Sequence, residues 1–237
     1  MIKEVVFDID DTLYDYEKGH ALGVERMAEY AEKELGIAKA YFRSEYKRMN
    51  EELKVRLGKD DAATHSRSIR LQNLLEQWGK PLFPHVEKLY HLYWDALLAE
   101  SKAEPGSIEA IRTLRKMGIG VGIGTDMTFW MQYQKLERFG FAPYITHMVT
   151  SQEAGHEKPH PEFMALCVKK AGCKPEEMVF VGDTFKKDVA GSAKAGMHPV
   201  WYRAKEKVLP EQTDLKPEDY KIIRHFDELV PYVKSLV

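Results

Sequence analysis

The chain has 237 residues, of which 44% are hydrophobic and 30% are charged, a composition typical of an ordinary soluble globular protein. The formal net charge is -2 and the sequence contains no basic block, which argues against nucleic acid polymers as partners. We find no apolar run long enough for a signal peptide or a membrane span, so we expect a cytoplasmic protein with no membrane partner.

The first predicted element is a short buried strand, Val5-Val6-Phe7, which stops abruptly at Asp8. Helical periodicity then extends from about residue 15 to residue 100, with breaks near Gly36, residues 58–61 and residues 79–81. This pattern predicts a helical cap domain of about four helices at residues 15–100. The aromatic residues Trp78, Tyr93 and Trp94 are expected in its core.

Helices and strands alternate beyond Pro105-Gly106. Helices are predicted over residues 108–117 and 129–139, from residue 161, from residue 188 and at the end of the chain; strands are predicted over residues 119–124, 145–149, 178–181, 199–201 and 222–223. This alternation predicts an α/β fold: a doubly wound, Rossmann-like parallel sheet formed by residues 1–14 and 101–237, with the α-helical cap inserted. In such a sheet ligands bind beyond the carboxyl ends of the strands.

Acidic residues concentrate at two of these strand ends. Asp8-Ile9-Asp10-Asp11-Thr12 follows the first strand, and Gly182-Asp183 with Asp188 follows the strand that ends at Val181. Carboxylates gathered at one sheet edge repel each other unless a cation neutralises them. Mg²⁺ fits best, because it accepts a few carboxylates, retains waters and binds a phosphate oxygen.

Two further residues are suited to binding the oxygens of a phosphoryl group. Thr125 ends a strand, and Lys158 lies in Glu157-Lys158-Pro159-His160-Pro161 before a helix. A hydroxyl and an ammonium delivered to the same edge would hold the three equatorial oxygens of a group in transfer. Each signal is weak by itself, and their order along the chain gives them weight.

Taken together, these residues resemble the four motifs of the haloacid dehalogenase-like hydrolase superfamily. The first motif corresponds to Asp8, Asp10 and Thr12, the second to Thr125 and the third to Lys158. The fourth corresponds to Gly182-Asp183 with Asp188. The resemblance spans essentially the whole chain and includes a helical cap between the first and second motifs.

The resemblance implies a role for each matching residue. Asp8 would be the nucleophile that forms an aspartyl-phosphate, and Asp10 would protonate the leaving oxygen and later activate water. Asp8, Asp183 and the main-chain carbonyl of Asp10 would bind Mg²⁺, with Asp188 as a direct ligand or acting through a bound water. Thr125, Asp126 and Lys158 would bind the substrate phosphate, with Lys158 also keeping Asp8 ionised.

Asp126 departs from the family pattern, which often has asparagine at this position. Its N–H can still reach a phosphate, but its carboxylate would repel one if it pointed inward. We expect this carboxylate to turn away or to accept a hydrogen bond.

The presence of Asp10 favours phosphoryl transfer, because the dehalogenases of the family lack the second aspartate. We therefore expect a phosphatase acting on a small phosphorylated metabolite, such as a nucleoside monophosphate or a sugar phosphate. A sugar-phosphate mutase resembling β-phosphoglucomutase remains an alternative. A non-catalytic phospho-aspartate switch is a weaker one, because a cap of about 85 residues would serve no purpose in it.

The sequence leaves other features open. Tyr14, Asp15, Tyr16 and His20 follow the first motif and either contact the leaving group or pack at the hinge. Trp130 and Tyr133 follow the second motif and are predicted to line the entrance of the site. Cys167 and Cys173 are predicted to be packing thiols. The expected oligomeric state is a monomer or a homodimer.

Overall fold

The computed structural model describes residues 1–58, 61–203 and 213–236, so Lys59 and Asp60 of the predicted break after Gly58 lie outside the described residues. The chain divides into two compact units. The α/β unit comprises Met1–Tyr14 and Lys102–Val237, and the helical unit comprises Asp15–Ser101.

The strands of the α/β unit, among the described residues, are β1 (Glu4–Phe7), β2 (Gly120–Thr125), β3 (His147–Thr150), β4 (Met178–Gly182), β5 (His198–Tyr202) and β6 (Lys221–Ile223). They form one sheet in the order β3-β2-β1-β4-β5-β6, and every neighbouring pair is parallel. The strand order reverses at β1, so the carboxyl end of β1 lies at the switch point of the sheet. The predicted doubly wound parallel sheet is confirmed.

The helical unit contains α1 (Tyr16–Leu35), α2 (Lys39–Leu57), α3 (Arg67–Gln77) and α4 (His85–Glu100). The side chain of Asp15 caps α1 by accepting a hydrogen bond from the Lys18 N–H, and Gly36 ends this helix in the left-handed conformation, at φ 69°. The first helix packs against both α2 and α4. Tyr93 and Trp94 are buried here as predicted, whereas Trp78 is only half-buried.

The helices of the α/β unit are α5 (Ser107–Lys116), α6 (Phe129–Arg138), α7 (Ser151–Ala154), α8 (Pro161–Ala171), α9 (Ala190–Lys194) and α10 (Leu229–Ser235). The helix predicted from Asp188 begins differently. A π-helical turn, Phe185–Val189, precedes α9, and the Thr184 N–H donates to the Asp188 carboxylate at 2.9 Å. Asp188 therefore lies inside a turn rather than at a helix start.

An apolar cluster between the sheet and α8 includes Val6 and Phe180 from strands and Phe163 and Cys167 from the helix, with Cys173 packed against it. Both cysteines are free thiols, and Cys167 is fully buried, so its predicted packing role is confirmed. Burial raises the pKa of the Cys167 thiol to about 12. None of the helices in the described part of the chain is both long and apolar enough to cross a membrane.

Candidate active site

Asp8 lies directly after β1, at the switch point of the sheet. Its main-chain N–H donates to the Val181 carbonyl oxygen at 2.9 Å, which continues the β1–β4 pairing by one residue. The side chain is buried, with 7% of the residue exposed. A buried carboxylate at this position requires a compensating charge.

Lys158 supplies a positive charge to Asp8. Its Nζ donates to Asp8 Oδ1 at 2.6 Å and to the Gly124 carbonyl oxygen at 3.0 Å. The same Nζ lies 2.9 Å from Asp188 Oδ1, an ion-pair contact without hydrogen-bond geometry. Burial lowers the pKa of Lys158, but Asp188, Asp8 and Asp126 together raise it well above its ordinary value, so the ammonium stays charged.

Asp183 and Asp188 complete an acidic cluster with Asp8. Carboxylate oxygens of the three residues all lie within 4.8 Å of one another, and all three residues are buried. Gly182 makes room for this arrangement, because a Cβ built on it would lie 2.3 Å from Asp188 Cγ. The absence of a side chain at residue 182 therefore allows the Asp188 carboxylate to approach the other two.

The protonation of this cluster is finely balanced. Burial raises the pKa of Asp8 to about 7, with Lys158 lowering it and Asp188 and Asp10 raising it. The pKa of Asp188 is raised as well, by burial first and then by Asp183, against the lowering effect of Lys158. One ammonium therefore does not fully compensate the buried acids.

The cluster fits a hard divalent cation. Lys158 contacts two of the three carboxylates, those of Asp8 and Asp188, and the pKa of both stays raised. The donors are all oxygens, and Asp188 Oδ1 has no hydrogen-bond partner among the described groups. Buried carboxylate oxygens that repel one another are the ligand chemistry that suits Mg²⁺.

Asp10 is held by a set of donors different from those of Asp8. Lys135 Nζ donates to Asp10 Oδ1 at 2.6 Å, Gln132 Nε2 donates to Oδ2 at 3.0 Å, and the Tyr14 hydroxyl also donates to Oδ1. Burial raises the pKa of Asp10, but Lys135, Tyr14 and Gln132 more than offset it, so the pKa lies below its ordinary value. The carboxylate is thus ionised and fixed in orientation.

Thr125 and Asp126 follow β2. Gln132 Nε2 donates to Thr125 Oγ1 at 2.7 Å, which links Thr125 to the group that also holds Asp10. Asp126 accepts from the Lys158 N–H at 2.9 Å and from Lys187 Nζ at 2.7 Å. The Asp126 carboxylate accepts hydrogen bonds, one of the two expected arrangements, and so supports the main chain of Lys158.

Sequence reasoning missed Gln132, Lys135, Lys187 and Glu157. Lys135 is fully buried, and Lys187 bridges Asp126 and Glu157, with 2.8 Å to the Glu157 carboxylate. A signal for the first two existed in α6. Gln132 and Lys135 are three residues apart and share a helix face with the buried Met131 and Leu136, a placement unusual for polar side chains.

The residues after the first motif divide between the two units. Tyr14 is buried in the α/β unit, where its hydroxyl contacts Asp10 and its ring packs on Phe139 at 4.6 Å. Tyr16 and His20 belong to the helical unit and contact Tyr93 there. Trp130 and Tyr133 are exposed and stacked on α6, and their role as rim residues stays a prediction.

The described strands form a Rossmann-like parallel sheet with an acid cluster and a lysine at its switch point, a class of site suited to phosphoryl transfer. The family model for haloacid dehalogenase-like hydrolases matches residues 2–196. The chain belongs to this family. Its full-length relatives are phosphatases, which makes it a phosphatase-type member that hydrolyses phosphomonoesters.

Relatives cover nearly the whole chain. It is 34% identical to the glyceraldehyde 3-phosphate phosphatase of Methanopyrus kandleri over 100% of this chain and 99% of that protein. It is 32% identical to the ribulose-1,5-bisphosphate 5-phosphatase of Halopiger xanaduensis over 87% of each chain. The crystal structure of a phosphatase of this family from Thermococcus onnurineus superposes with a TM-score of 0.73, at 25% identity and 98% coverage of both chains.

Proposed function

We propose that this protein is a Mg²⁺-dependent phosphatase of small sugar phosphates that works through an aspartyl-phosphate on Asp8. The observation that carries the proposal is the buried contact of Asp8 with Lys158 inside the Asp8–Asp183–Asp188 cluster. It pairs a carboxylate at a sheet switch point with the charges that phosphoryl transfer needs.

In the first step an Asp8 carboxylate oxygen attacks phosphorus, and the bond from phosphorus to the leaving oxygen breaks. Lys158 lowers the pKa of Asp8, which favours the ionised nucleophile, and it donates to the oxygens of the transferring group. Asp10 gives a proton to the leaving oxygen, so the sugar departs as an alcohol. Because Lys135 favours ionised Asp10, Asp10 acquires this proton only when substrate adds negative charge beside it.

In the second step Asp10 acts as a base. It takes a proton from water as the water oxygen attacks phosphorus, the acyl phosphate bond breaks and inorganic phosphate leaves. Asp10 begins this step as the carboxylate, the form that its low pKa favours, and Gln132 and Tyr14 orient it; the proton that it takes from water is the one it gives to the next leaving oxygen. Thr125 contributes a hydroxyl to the phosphoryl oxygens.

The residues suited to hold Mg²⁺ are Asp8, Asp183 and Asp188, with the main-chain carbonyl of Asp10. Bound there, Mg²⁺ would neutralise the charge that develops on the phosphoryl oxygens. The substrate class is supported by the two relatives, whose names specify sugar phosphates of three and five carbons.

The test combines two measurements on purified protein. Phosphate release is measured from glyceraldehyde 3-phosphate, ribulose 1,5-bisphosphate and a nucleoside monophosphate, with Mg²⁺ and with excess chelator. Asp8→Asn should abolish release, while Asp227→Asn, a change at an exposed aspartate of the same unit, should leave it within about twofold. Full activity of Asp8→Asn would refute the nucleophile, and isomerised sugar phosphate in place of free phosphate would identify a mutase.

Trapping supplies an independent readout. Beryllium fluoride with Mg²⁺ should attach to the Asp8 carboxylate, since it mimics a phosphoryl group on a carboxylate. Attachment at a different residue would overturn the assignment of the site.

A further inference from the structure

The helical unit contains a cavity of about 360 Å³ with cationic side chains in its walls. These residues are Arg43, Lys47, Lys54, Arg67 and Arg70, of which Arg43 pairs with Glu25 and Lys54 with Glu51. Among the described lining residues there is no aspartate or glutamate. A cavity lined in this way attracts anions, because its positive charges reinforce one another inside a concave surface.

Arg67 is the most deeply placed of these cations, with only 4% of the residue exposed. Its guanidinium donates to the hydroxyls of Tyr16 at 2.6 Å and Tyr93 at 3.0 Å and to the His65 carbonyl oxygen at 2.8 Å. It also lies over the Trp94 ring, 4.7 Å from the ring centre. These contacts are all with neutral groups, and Nε is buried without a hydrogen-bond partner among the described residues.

Arg70 repeats this pattern one helical turn further on. It is 5% exposed, donates to Asn50 and lies 4.7 Å from the centre of the Tyr46 ring. Its Nε is also buried and unpartnered within the described part of the chain. Two buried guanidiniums without a carboxylate in ion-pair contact, among the described residues, carry a desolvation cost that an anion would relieve.

Two neighbouring titratable groups, His20 and Glu51, change the positive charge of the cavity only slightly. His20 lines the same cavity, and burial, Arg67 and Arg70 lower its pKa to about 4, so it is neutral near pH 7. The Glu51 side chain is exposed and already accepts hydrogen bonds from Lys54 and Asn50. Its pKa is lowered by Lys54 first and by Arg70 last, so it offsets little of the charge of Arg70.

We propose that this cavity is a phosphate-binding pocket in which Arg67 and Arg70 are the principal cations. Arginine suits the oxygens of a phosphate because its planar fork donates two parallel hydrogen bonds. The same chemistry fits free inorganic phosphate and a phosphoryl group of an organic phosphate. Binding of free phosphate is independent of the proposed function, whereas binding of the substrate's own phosphoryl group rests on it.

The experiment observes the two arginines directly. Protein labelled with ¹⁵N-arginine is titrated with inorganic phosphate, and the Nε–H signals are followed by NMR at constant ionic strength. The signals are assigned from Arg67→Lys and Arg70→Lys. Saturable shifts of both signals are expected with phosphate. Equal shifts with sodium chloride would show that the signals respond to ionic screening and not to phosphate binding, which would overturn the proposal.

Variants separate a binding role from a structural one. Arg70→Gln should weaken phosphate binding roughly tenfold or more, the usual effect of losing a hydrogen bond to a charged group. Lys47→Gln changes an exposed lining residue, so it tests the pocket even if Arg70→Gln does not fold, and it should weaken binding a few-fold. The control is Arg26→Gln, an exposed arginine of α1 outside the lining, which should bind phosphate like the unaltered chain.

The two sources are distinguished in the Asp8→Asn background, where sugar phosphates are not expected to be consumed. A sugar phosphate such as ribulose 1,5-bisphosphate that shifts both signals at concentrations at least tenfold below inorganic phosphate identifies an organic phosphate as the ligand. Equal or weaker binding identifies free phosphate. If neither probe shifts the arginine signals the proposal is overturned, while loss of the proposed function appears separately, as full activity of Asp8→Asn.

Discussion

Asp10 differs from Asp8 in its charged partner, although only two residues separate them. Lys158 contacts Asp8, whereas Lys135 contacts Asp10, and both lysines are buried. Each carboxylate therefore has its own ammonium, which lowers the pKa of each aspartate and favours its ionised form. A nucleophile and an acid-base group need this separation because they do different chemistry.

Replacing Asp10 by asparagine should lower kcat by about 10²- to 10⁴-fold, the usual contribution of a positioned acid-base group. The amide keeps the shape of the side chain but can neither give nor take the proton. Steady-state phosphate release measures the effect, with unfolding temperature as a check on folding. A rate equal to that of the unaltered enzyme would remove Asp10 from the chemistry.

Lys135 is expected to be an energetic partner of Asp10. Removing one member of a buried ion pair costs about 3–5 kcal/mol, and we expect the lower end for Lys135→Met because the Asp10 side chain is 26% exposed. Denaturant unfolding measures the loss. The control is Lys116→Met, which alters an exposed lysine of the same unit and should change stability by less than about 0.5 kcal/mol.

A double-mutant cycle tests the cause of that loss. In the Asp10→Asn background Lys135→Met should lower the free energy of unfolding by clearly less, because the neutral amide does not become an uncompensated charge. The same cost in both backgrounds would mean that Lys135 stabilises the protein through packing alone.

At the scale of single residues, the sequence predicted the acidic site residues better than the side chains that contact them. Asp8, Asp183 and Asp188 could be placed because they directly follow strands, and the ends of parallel strands share an edge. Lys135 was missed, since a lysine inside a helix is usually a solvated side chain. The apolar Met131 and Leu136 on the same face of α6 were the sequence signal for its burial.

At the scale of elements, the approach of α1 to α4 depends on glycine. A Cβ on Gly23 would lie 2.7 Å from Tyr93 Cδ2 and 2.8 Å from its carbonyl oxygen, and a Cβ on Gly19 would lie 2.4 Å from Ser101 Oγ. Glycine weakens a helix by roughly 1 kcal/mol relative to alanine. Both glycines therefore lower the helix propensity of α1 but allow its close contact with α4.

Gly23→Ala should thus destabilise the protein, although propensity alone predicts a gain of about 1 kcal/mol. The added methyl meets the ring and the carbonyl oxygen of Tyr93 in α4, and we expect a net loss of about 1–3 kcal/mol, as for other overpacked sites. Thermal unfolding shows whether Gly23→Ala lowers or raises the stability of the protein. Ala21→Gly, an exposed change on the same helix, provides the propensity scale, and a stabilised Gly23→Ala protein would contradict the packing argument.

Strand β1 carries a second element-scale feature, the buried Glu4. Burial raises the pKa of Glu4 to about 7, against a lowering effect of Arg115, and His147 Nδ1 lies 3.7 Å from its carboxylate. A raised carboxyl pKa means that the folded state holds the proton more tightly than the unfolded state. Its contribution to stability is complete below the ordinary pKa of 4.5 and is lost as pH rises through about 7.

Glu4→Gln should therefore raise the unfolding temperature at pH 8 and have less effect at pH 5. The pKa of His147 is lowered by burial and by Lys170, so the comparison is made between variant and unaltered protein at each pH. Glu177→Gln should behave in the opposite way, because its hydrogen bond with Lys3 lowers the pKa of Glu177 and stabilises at high pH. A pH-independent effect of Glu4→Gln would show that Glu4 is not protonated on folding.

On the scale of the whole molecule, the fold was more predictable than its local turns. The alternation of helices and strands after residue 105 is sufficient for a parallel sheet, and the order of β1 and β4 follows from the motifs at their ends. The π-helical turn at Phe185–Val189 was not predictable. It depends on Asp188 bonding back to Thr184, a local competition that hydrophobic periodicity does not record.

The same acids that define the proposed metal site should limit the stability of the whole protein without metal. The three buried carboxylates repel one another, and a cation that neutralises them binds the folded state alone and stabilises it by mass action. Mg²⁺ at about 100 times its dissociation constant should add about 2.7 kcal/mol to the free energy of unfolding. Thermal unfolding with Mg²⁺ and with chelator measures this gain, and calcium serves as a competing cation.

Asp183→Asn separates the charge of the cluster from its shape. Without metal this variant should be more stable than the unaltered protein, because one like charge is removed from beside Asp188. With Mg²⁺ its gain should be much smaller, because a ligand is lost. Thr184→Val, which removes the hydroxyl that donates to Asp183 at 3.3 Å, leaves all three carboxylates and should retain most of the Mg²⁺ gain. If Asp183→Asn were equally stabilised by Mg²⁺, the cation would bind outside the cluster, and the charge argument for the site would fail.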